Sequence, residues 1–371
     1  MANTKANESE SGESTKTKVK KILLCGLDLG TNTSVFQISN QDGKTVEYEN
    51  DIHRSLVGYS KPGIIPGILP TNDTALFAEM ALEYRMHLEL KWPLADGFVS
   101  NVATCREFCG YLRKQIDPKE NCEIWGVIGA PANASKSRLK DIRSSFSGVF
   151  EKVLIVPEPF LAAMGLRDDE RAGVDPTYVD PTKHSLIIDI GAGTTDCCLV
   201  QGYFPTDEDQ VSIAMAGDTI DQKMGELIGN RYPDISLTRV TLTKMKEANS
   251  FVGKDKTANV KVFVDGKPRS IDFGSIIRES CECLLDPIME SVRELFSRCD
   301  SESVEHVLKN IIVAGGGSQI TGLPDLIQKR LREEGYEGAT TMVPDDYRRL
   351  VARGALKIAN NVREDQWQVP L

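Results

Sequence analysis

The chain has 371 residues, 40% hydrophobic and 26% charged, with a formal net charge of −10. That length exceeds one simple core and suits two domains, and the acidic balance, without a basic run in the folded part, argues against a nucleic-acid partner. No apolar stretch reaches the roughly 18 residues of a membrane span, and the opening Met1-Ala-Asn-Thr-Lys5 lacks the apolar core of a secretory leader, so no direct membrane insertion is expected.

Residues 1–20 are polar and aperiodic, and read as a disordered tail. Domain I is expected over 21–166. It begins with an apolar strand near Ile22 that runs into Cys25-Gly-Leu-Asp-Leu-Gly-Thr-Asn-Thr33, followed by a second strand, Ser34–Ile38. The segment at about 40–91 reads as an inserted subdomain, with a turn-rich Lys61–Gly67 and a helix over Ala75–Leu90. An amphipathic helix is predicted over 100–116, then the strand Cys122–Gly129, a helix over Ser135–Phe146 and the strand Val153–Val156. Val156-Pro-Glu-Pro-Phe160 places Glu158 on a stiff segment between two prolines. The polar stretch 167–183 reads as a connector between domains, or as a regulatory loop.

Domain II is expected over 184–346. Its start, Ile187-Ile-Asp-Ile-Gly-Ala-Gly-Thr-Thr-Asp196, repeats the first motif: Asp28 aligns with Asp189, Gly30 with Gly191 and Thr33 with Thr194. A helix follows Gly217-Asp218 to about Asn230, and another covers Arg239–Ala248. Asp265-Gly266 between apolar runs predicts a hairpin, Val260–Val264 with Lys267–Phe273. Residues 221–279 form a second inserted subdomain, and one helix, Ile276–Phe296, returns to the main body. Ile311–Ala314 is a strand that enters Gly315-Gly-Gly-Ser318. Residues 347–362 are expected to form a C-terminal helix packed back on domain I, and 363–371 a tail in which Trp367 has no legible role. Nine cysteines without C-x-x-C spacing imply free, mostly buried thiols and a reducing compartment; Cys105 and Cys109 share a helical face but read as core.

Two strand–carboxylate–glycine–hydroxyl hairpins facing each other would grip a polyphosphate from both sides. Glycine lets the main chain approach closely, so backbone N–H groups become donors. Asp28 and Asp189 suit Mg²⁺, a hard cation that prefers oxygen and keeps several waters. Singly, each Asp could equally cap its own turn. The triple glycine leaves room for a flat ring, or makes a flexible turn. There is neither a Walker A pattern nor a Gly-x-Gly-x-x-Gly after a strand, so P-loop and Rossmann solutions do not apply. By itself Glu158 reads as an exposed helix-start carboxylate in a strand–helix turn, and Asp196 as a turn cap. The four histidines fall in no nucleotide motif.

These segments together resemble the phosphate-1, phosphate-2 and adenosine motifs of the actin–Hsp70–sugar kinase superfamily. Val156–Gly165 and Val351–Leu356 are similar to its two connecting motifs. Within it, Trp92–Gly97, Val127–Ala132, Glu158–Phe160 and Ser250–Gly253 resemble MamK-like bacterial actins, which organise magnetosomes. The resemblance implies an α/β, actin-like fold: two duplicated RNase H-like domains, each with an inserted subdomain, and a nucleotide cleft between them. It implies ATP/ADP with Mg²⁺, Asp28 and Asp189 acting on the metal through water, and Glu158 near the attacking water. Gly30, Thr31, Asn32, Thr33, Gly191, Ala192, Gly193 and Thr194 would hold phosphates. Gly217 and Asp218 would lie beside the nucleotide, Lys246 and Glu247 would flank ribose and adenine, and Gly315, Gly316, Gly317 and Ser318 would meet the base. Asp221 resembles a carboxylate near the ribose. The implied activity is a cytoplasmic filament that assembles with ATP and comes apart after hydrolysis. Its partners would be further copies of itself and magnetosome-associated adaptors. A plasmid-segregating actin is the alternative. An Hsp70-type ATPase would need a substrate-binding domain beyond this chain, and a small-molecule kinase a base in a distinct loop that is not found.

Overall fold

The computed structural model describes residues 20–371 except Asn72 and Asp265, so the expected tail before Lys20 and the Asp of the expected Asp-Gly turn lie outside the described residues. The repeated motif builds a repeated sheet. β1 (Lys21–Leu29) and β2 (Thr33–Asn40) form an antiparallel hairpin; β3 (Thr45–Val46) joins β2, while β4 (Cys122–Ala130) and β5 (Lys152–Pro157) add in parallel beyond β1. The order is β5-β4-β1-β2-β3. In the second lobe β6 (Ser185–Ile190), β7 (Thr195–Val200), β8 (Gln210–Ile213), β9 (Ile311–Ala314) and β10 (Thr341–Met342) repeat the plan as β10-β9-β6-β7-β8. β6 and β7 are buried along their whole length, as their continuous apolar runs require of strands covered on both faces. Adjacent strand residues face opposite ways. Cys197 accordingly enters the core of lobe II and Cys198 the core shared by both lobes.

The sheet of lobe I packs Phe36, Ile38 and Ile128 against Phe108, Leu112 and Phe146. Its insert is a small sheet of Val57–Ser60, Ala75–Phe77 and Leu88–Lys91. This insert begins later than about residue 40, because Thr45–Val46 and Ile52–Arg54 still pair with β2. The expected helix Ala75–Leu90 is a strand, a short helix (Ala78–Glu83) and a strand. Leu88-Glu-Leu-Lys91 alternates and pairs with Val57–Ser60, so tertiary pairing overrides a helix-compatible composition. Lobe I ends in α1 (Glu158–Leu166), which leaves β5 directly.

Lobe II carries α2 (Gly217–Arg231), α3 (Arg239–Asn249) and the hairpin Asn259–Val264 with Lys267–Asp272. The expected single helix Ile276–Phe296 is two, Gly274–Glu282 and Leu285–Arg298. Pro287 lacks an N–H and its ring crowds the carbonyl four residues back, which breaks the run at Cys283-Leu284. Among the described residues no helix is long and apolar enough to cross a membrane.

The final helix, α4 (Leu350–Ala359), lies against β1, β4 and α1. α1 and α4 build a third core with Val127 and Val156 from one sheet and Ile187, Cys198 and Ala314 from the other. Here main chain meets main chain. A Cβ on Gly354 would lie 1.9 Å from the Leu161 carbonyl oxygen, one on Gly165 2.0 Å from that of Leu350, and one on Gly26 2.1 Å from that of Ala352. Past α4, Gln368 pairs with Val153 at the edge of β5 and Trp367 packs edge-on against Trp125, ring centroids 5.7 Å apart.

Gly354→Ala should therefore destabilise the chain by about 1–3 kcal/mol in urea unfolding, because backbone must shift to admit the methyl. Gly110→Ala, on an open helix surface, should be neutral or gain up to about 1 kcal/mol. Equal effects of the two changes would show that the helix crossing is loose.

Candidate functional site

The two hairpins point their turns at each other across a cleft of about 400 Å3 between the lobes. Each turn is short because a glycine closes it: a Cβ on Gly30 would lie 2.4 Å from the Thr33 carbonyl oxygen, and the Gly191 N–H donates to that of Thr194 at 2.9 Å. A third turn wedges between them. Asp96 and Gly97 both have positive φ, 49° and 73°, which a two-residue hairpin loop requires. The Gly97 N–H donates to Thr31 Oγ1 at 3.1 Å, and a Cβ on Gly193 would meet Gly97 N at 2.3 Å and Thr31 Oγ1 at 2.7 Å. Small residues thus bring both turns into contact with the same piece of backbone.

Three carboxylates, Asp28, Glu158 and Asp189, line the floor, and Asp196 sits on the strand behind, accepting from the Ala132 N–H at 2.8 Å. Gly129 leaves room for Glu158, since a Cβ there would lie 2.9 Å from its Cγ. Burial pushes Asp28 up to about 7. Burial, then the charges of Asp28 and Asp196, push Asp189 up to about 8. Burial raises Asp196 to about 6, and burial with repulsion from Asp28, Asp196 and Asp189 holds Glu158 well above the usual carboxylate range. Among the described residues none of the four has an ion-pair partner. Such a set, strongly desolvated and unneutralised, suits a hard divalent cation. Among the described residues no three His, Cys, Asp or Glu side chains stand close enough to hold an ion directly.

The walls come from lobe II. At the end of α3, Lys246 Nζ lies 3.0 Å from Asp221 Oδ1 and donates to the Gly217 carbonyl at 2.5 Å; the Thr243 hydroxyl donates to Asp221 Oδ2 at 2.6 Å. Burial pushes Glu247 up, but hydrogen bonds and charge from Arg54 outweigh it and hold the carboxyl below its ordinary value. Opposite lie Gly315, Gly316 and Gly317, with Gln319 and Tyr347. The glycines serve different ends. A Cβ on Gly315 would meet Asp189 Oδ1 at 2.3 Å and one on Gly317 would meet Ile190 Cγ2 at 2.2 Å, whereas Gly316 faces open space.

Of the residues singled out in the sequence, all but four line this cleft: Asp196 lies on the strand behind, Asp221 is held by Thr243 and Lys246, and Ser318 and Asp218 serve the turns. Ser318 is buried and its hydroxyl donates to the Gly315 carbonyl at 2.7 Å, closing the turn. Asp218 is turned to Arg239 at 2.8 Å; its N–H donates to the Ala192 carbonyl at 2.7 Å, and so docks the start of α2 on the second turn. Sequence reasoning missed Gly97, although its Asp-Gly dipeptide carries a turn signal. It also missed Arg54, Gln319 and Tyr347, which no local pattern marks.

A family model described as MreB/Mbl protein matches residues 75–366. The chain is 31% identical to the actin-like protein MamK of Magnetospirillum gryphiswaldense, over 99% of this chain and 96% of that protein. Among solved structures it is similar to a MamK double helical filament (31% identity, TM-score 0.81, covering 92% of this chain and 100% of that one). It is also similar to a non-polymerising MamK mutant bound to AMPPNP, with 32% identity, a TM-score of 0.62 and coverage of 92% and 99%.

The raised carboxyls give the ligand-free chain a signed pH dependence. Between about 4 and about 8 the folded state holds more protons than the unfolded state, so stability falls as pH rises through that window. Asp189→Asn removes one buried charge. Without ligand it should raise the melting temperature by about 2–4 °C at pH 8, with the gain fading toward pH 5. A pH-independent difference would remove the electrostatic account of the floor.

Proposed function

Because the chain belongs to the MreB/Mbl family of actin-like proteins, we propose that it is an ATPase that polymerises with ATP and disassembles after hydrolysis. The observation that carries this reading is the convergence of two duplicated hairpin turns over carboxylates without ion-pair partners, Asp28 and Glu158 half-buried and Asp189 buried, in an interlobe cleft. The MamK relatives support assembly with further copies of the same chain, since one of them forms a double helical filament and another was solved with a nucleotide analogue. Organising and positioning magnetosomes through adaptors, in the cytoplasm, follows from the MamK resemblance.

In this reading the turns Gly30–Thr33 and Gly191–Thr194 bind the phosphates from either side through backbone N–H and hydroxyl groups. Lys246 and Glu247 flank the sugar and base, with Gly316 giving the base an open wall. Mg²⁺, when bound, neutralises charge on the phosphate chain. Asp28 and Asp189, one from each lobe, would hold that ion through water. Glu158 holds the attacking water and accepts its proton. A carboxyl raised by burial and by three like-charged neighbours is suited to that task. Phosphoryl transfer needs mostly such positioning and charge neutralisation, which is what this floor supplies.

Negative-stain electron microscopy with ATP, with ADP and without nucleotide tests the assembly; filaments with ATP would exclude the chaperone and kinase readings together. Glu158→Ala should leave ATP binding and assembly intact, slow phosphate release by about 10²–10⁴, and give filaments that fail to come apart. Phosphate release measured beside a sedimentation time course checks this. Wild-type rates in both would make Glu158 a helix-start residue only.

A further inference from the structure

At the mouth of the nucleotide cleft stands a side chain, Arg54, that the phosphate and adenosine motifs do not include. Arg54 ends the short strand Ile52–Arg54, directly opposite Thr33 of β2, so lobe I presents it beside the first turn. Its own N–H donates to Glu79 Oε1 at 3.2 Å, which fixes the base of the side chain. The guanidinium reaches across the cleft and donates to both carboxylate oxygens of Glu247 on α3, each at 3.1 Å. The same NH1 group donates to Asn32 Oδ1 at 3.0 Å, and Asn32 Nδ2 donates to Glu247 Oε1 at 3.2 Å. A planar, two-pronged guanidinium suits this bidentate grip, and a lysine ammonium does not reproduce it.

Both ends of the link are anchored. Lys246, next to Glu247, is held to Asp221 and to the Gly217 carbonyl within lobe II. Close by, Arg239 of α3 lies over the Trp92 ring of lobe I, 4.5 Å from its centroid, while Asp218 holds Arg239 from its own lobe. The mouth is therefore crossed twice, by one arginine from each lobe. Asn32 and Glu247 also line the nucleotide cleft, and Arg54 sets the position of each relative to the other.

We propose that Arg54 is a positioning residue that clasps the two lobes across the mouth of the cleft, holding Asn32 and Glu247 in register and slowing nucleotide release. The proposal rests on the nucleotide reading of the cleft. Its side chain is 28% exposed and that of Glu247 41%, so the clasp is open to ions and weakens as salt rises. A residue that only packed the insert would alter folding stability without giving the release rate a salt dependence.

The test follows release of a fluorescent methylanthraniloyl-ADP from monomeric full-length chain by stopped flow, at low and high ionic strength. Arg54→Ala should release it about three- to tenfold faster than wild type and lose most of the salt dependence. Arg54→Lys, which keeps the charge and loses the fork, should fall between. Release within twofold of wild type and with the same salt slope overturns the clasp. If Arg54→Ala does not fold, Arg54→Gln, which retains a donor for Asn32 without the charge, decides by the same criteria. A folded wild-type chain that binds no methylanthraniloyl-ADP overturns the nucleotide reading itself, and the clasp with it.

Discussion

Main chain touches main chain at Gly26, Gly165 and Gly354, with no side chain between, and the geometry of the rest follows from that contact. α4 comes from the end of lobe II and lies down on β1 and α1 of lobe I, so the two lobes share a core rather than abutting. Close packing of that kind has few alternative arrangements. It sets the spacing between the ends of β1 and β6, and so between Asp28 and Asp189. The cleft is closed at its floor by the shared core and tied at its mouth by Arg54 and Glu247.

The second constraint is electrostatic and works against the first. Packing brings four carboxyl groups from both lobes into one poorly solvated place. Without a counter-charge each makes the others costlier to ionise, and the closed arrangement carries that repulsion. A cation and its phosphates would remove it, and because the acids belong to different lobes, the relief would favour closure. A ligand shifts a conformational equilibrium only by its differential affinity for the two states. Here such a difference would have an identifiable source, since the two turns and the two aspartates that line one cleft come from different lobes.

Legibility in the sequence followed the range of the interactions. The duplicated hairpins were readable because strand, carboxylate and glycine turn are contiguous, and because the motif occurs twice; both sheets then repeat the same strand order. The inserts were less so. Leu88–Lys91 is a strand only because Val57–Ser60 lies beside it. The break near Leu284 had a local cause in Pro287 that a run of apolar periodicity hid. At the triple glycine the sequence marked the right place but not the division of labour, since two of the three make room for Asp189 and Ile190. Arg54 reaches the cleft through its strand pairing with Thr33, and Tyr347 from the turn before α4, and no spacing rule finds them. Trp367 was opaque for the same reason, as its partner Trp125 lies on another strand.

The position of Glu158 joins these threads. It is the first residue of α1, the helix whose Leu161 carbonyl and Gly165 meet α4 at the close crossing. From Glu158 to Leu161 is three residues, about 4.5 Å along the axis, less than one helical turn. A helix that short moves as one body. The contact that seats α4 on α1 therefore also fixes where the Glu158 carboxyl stands, facing the second turn, which belongs to the other lobe.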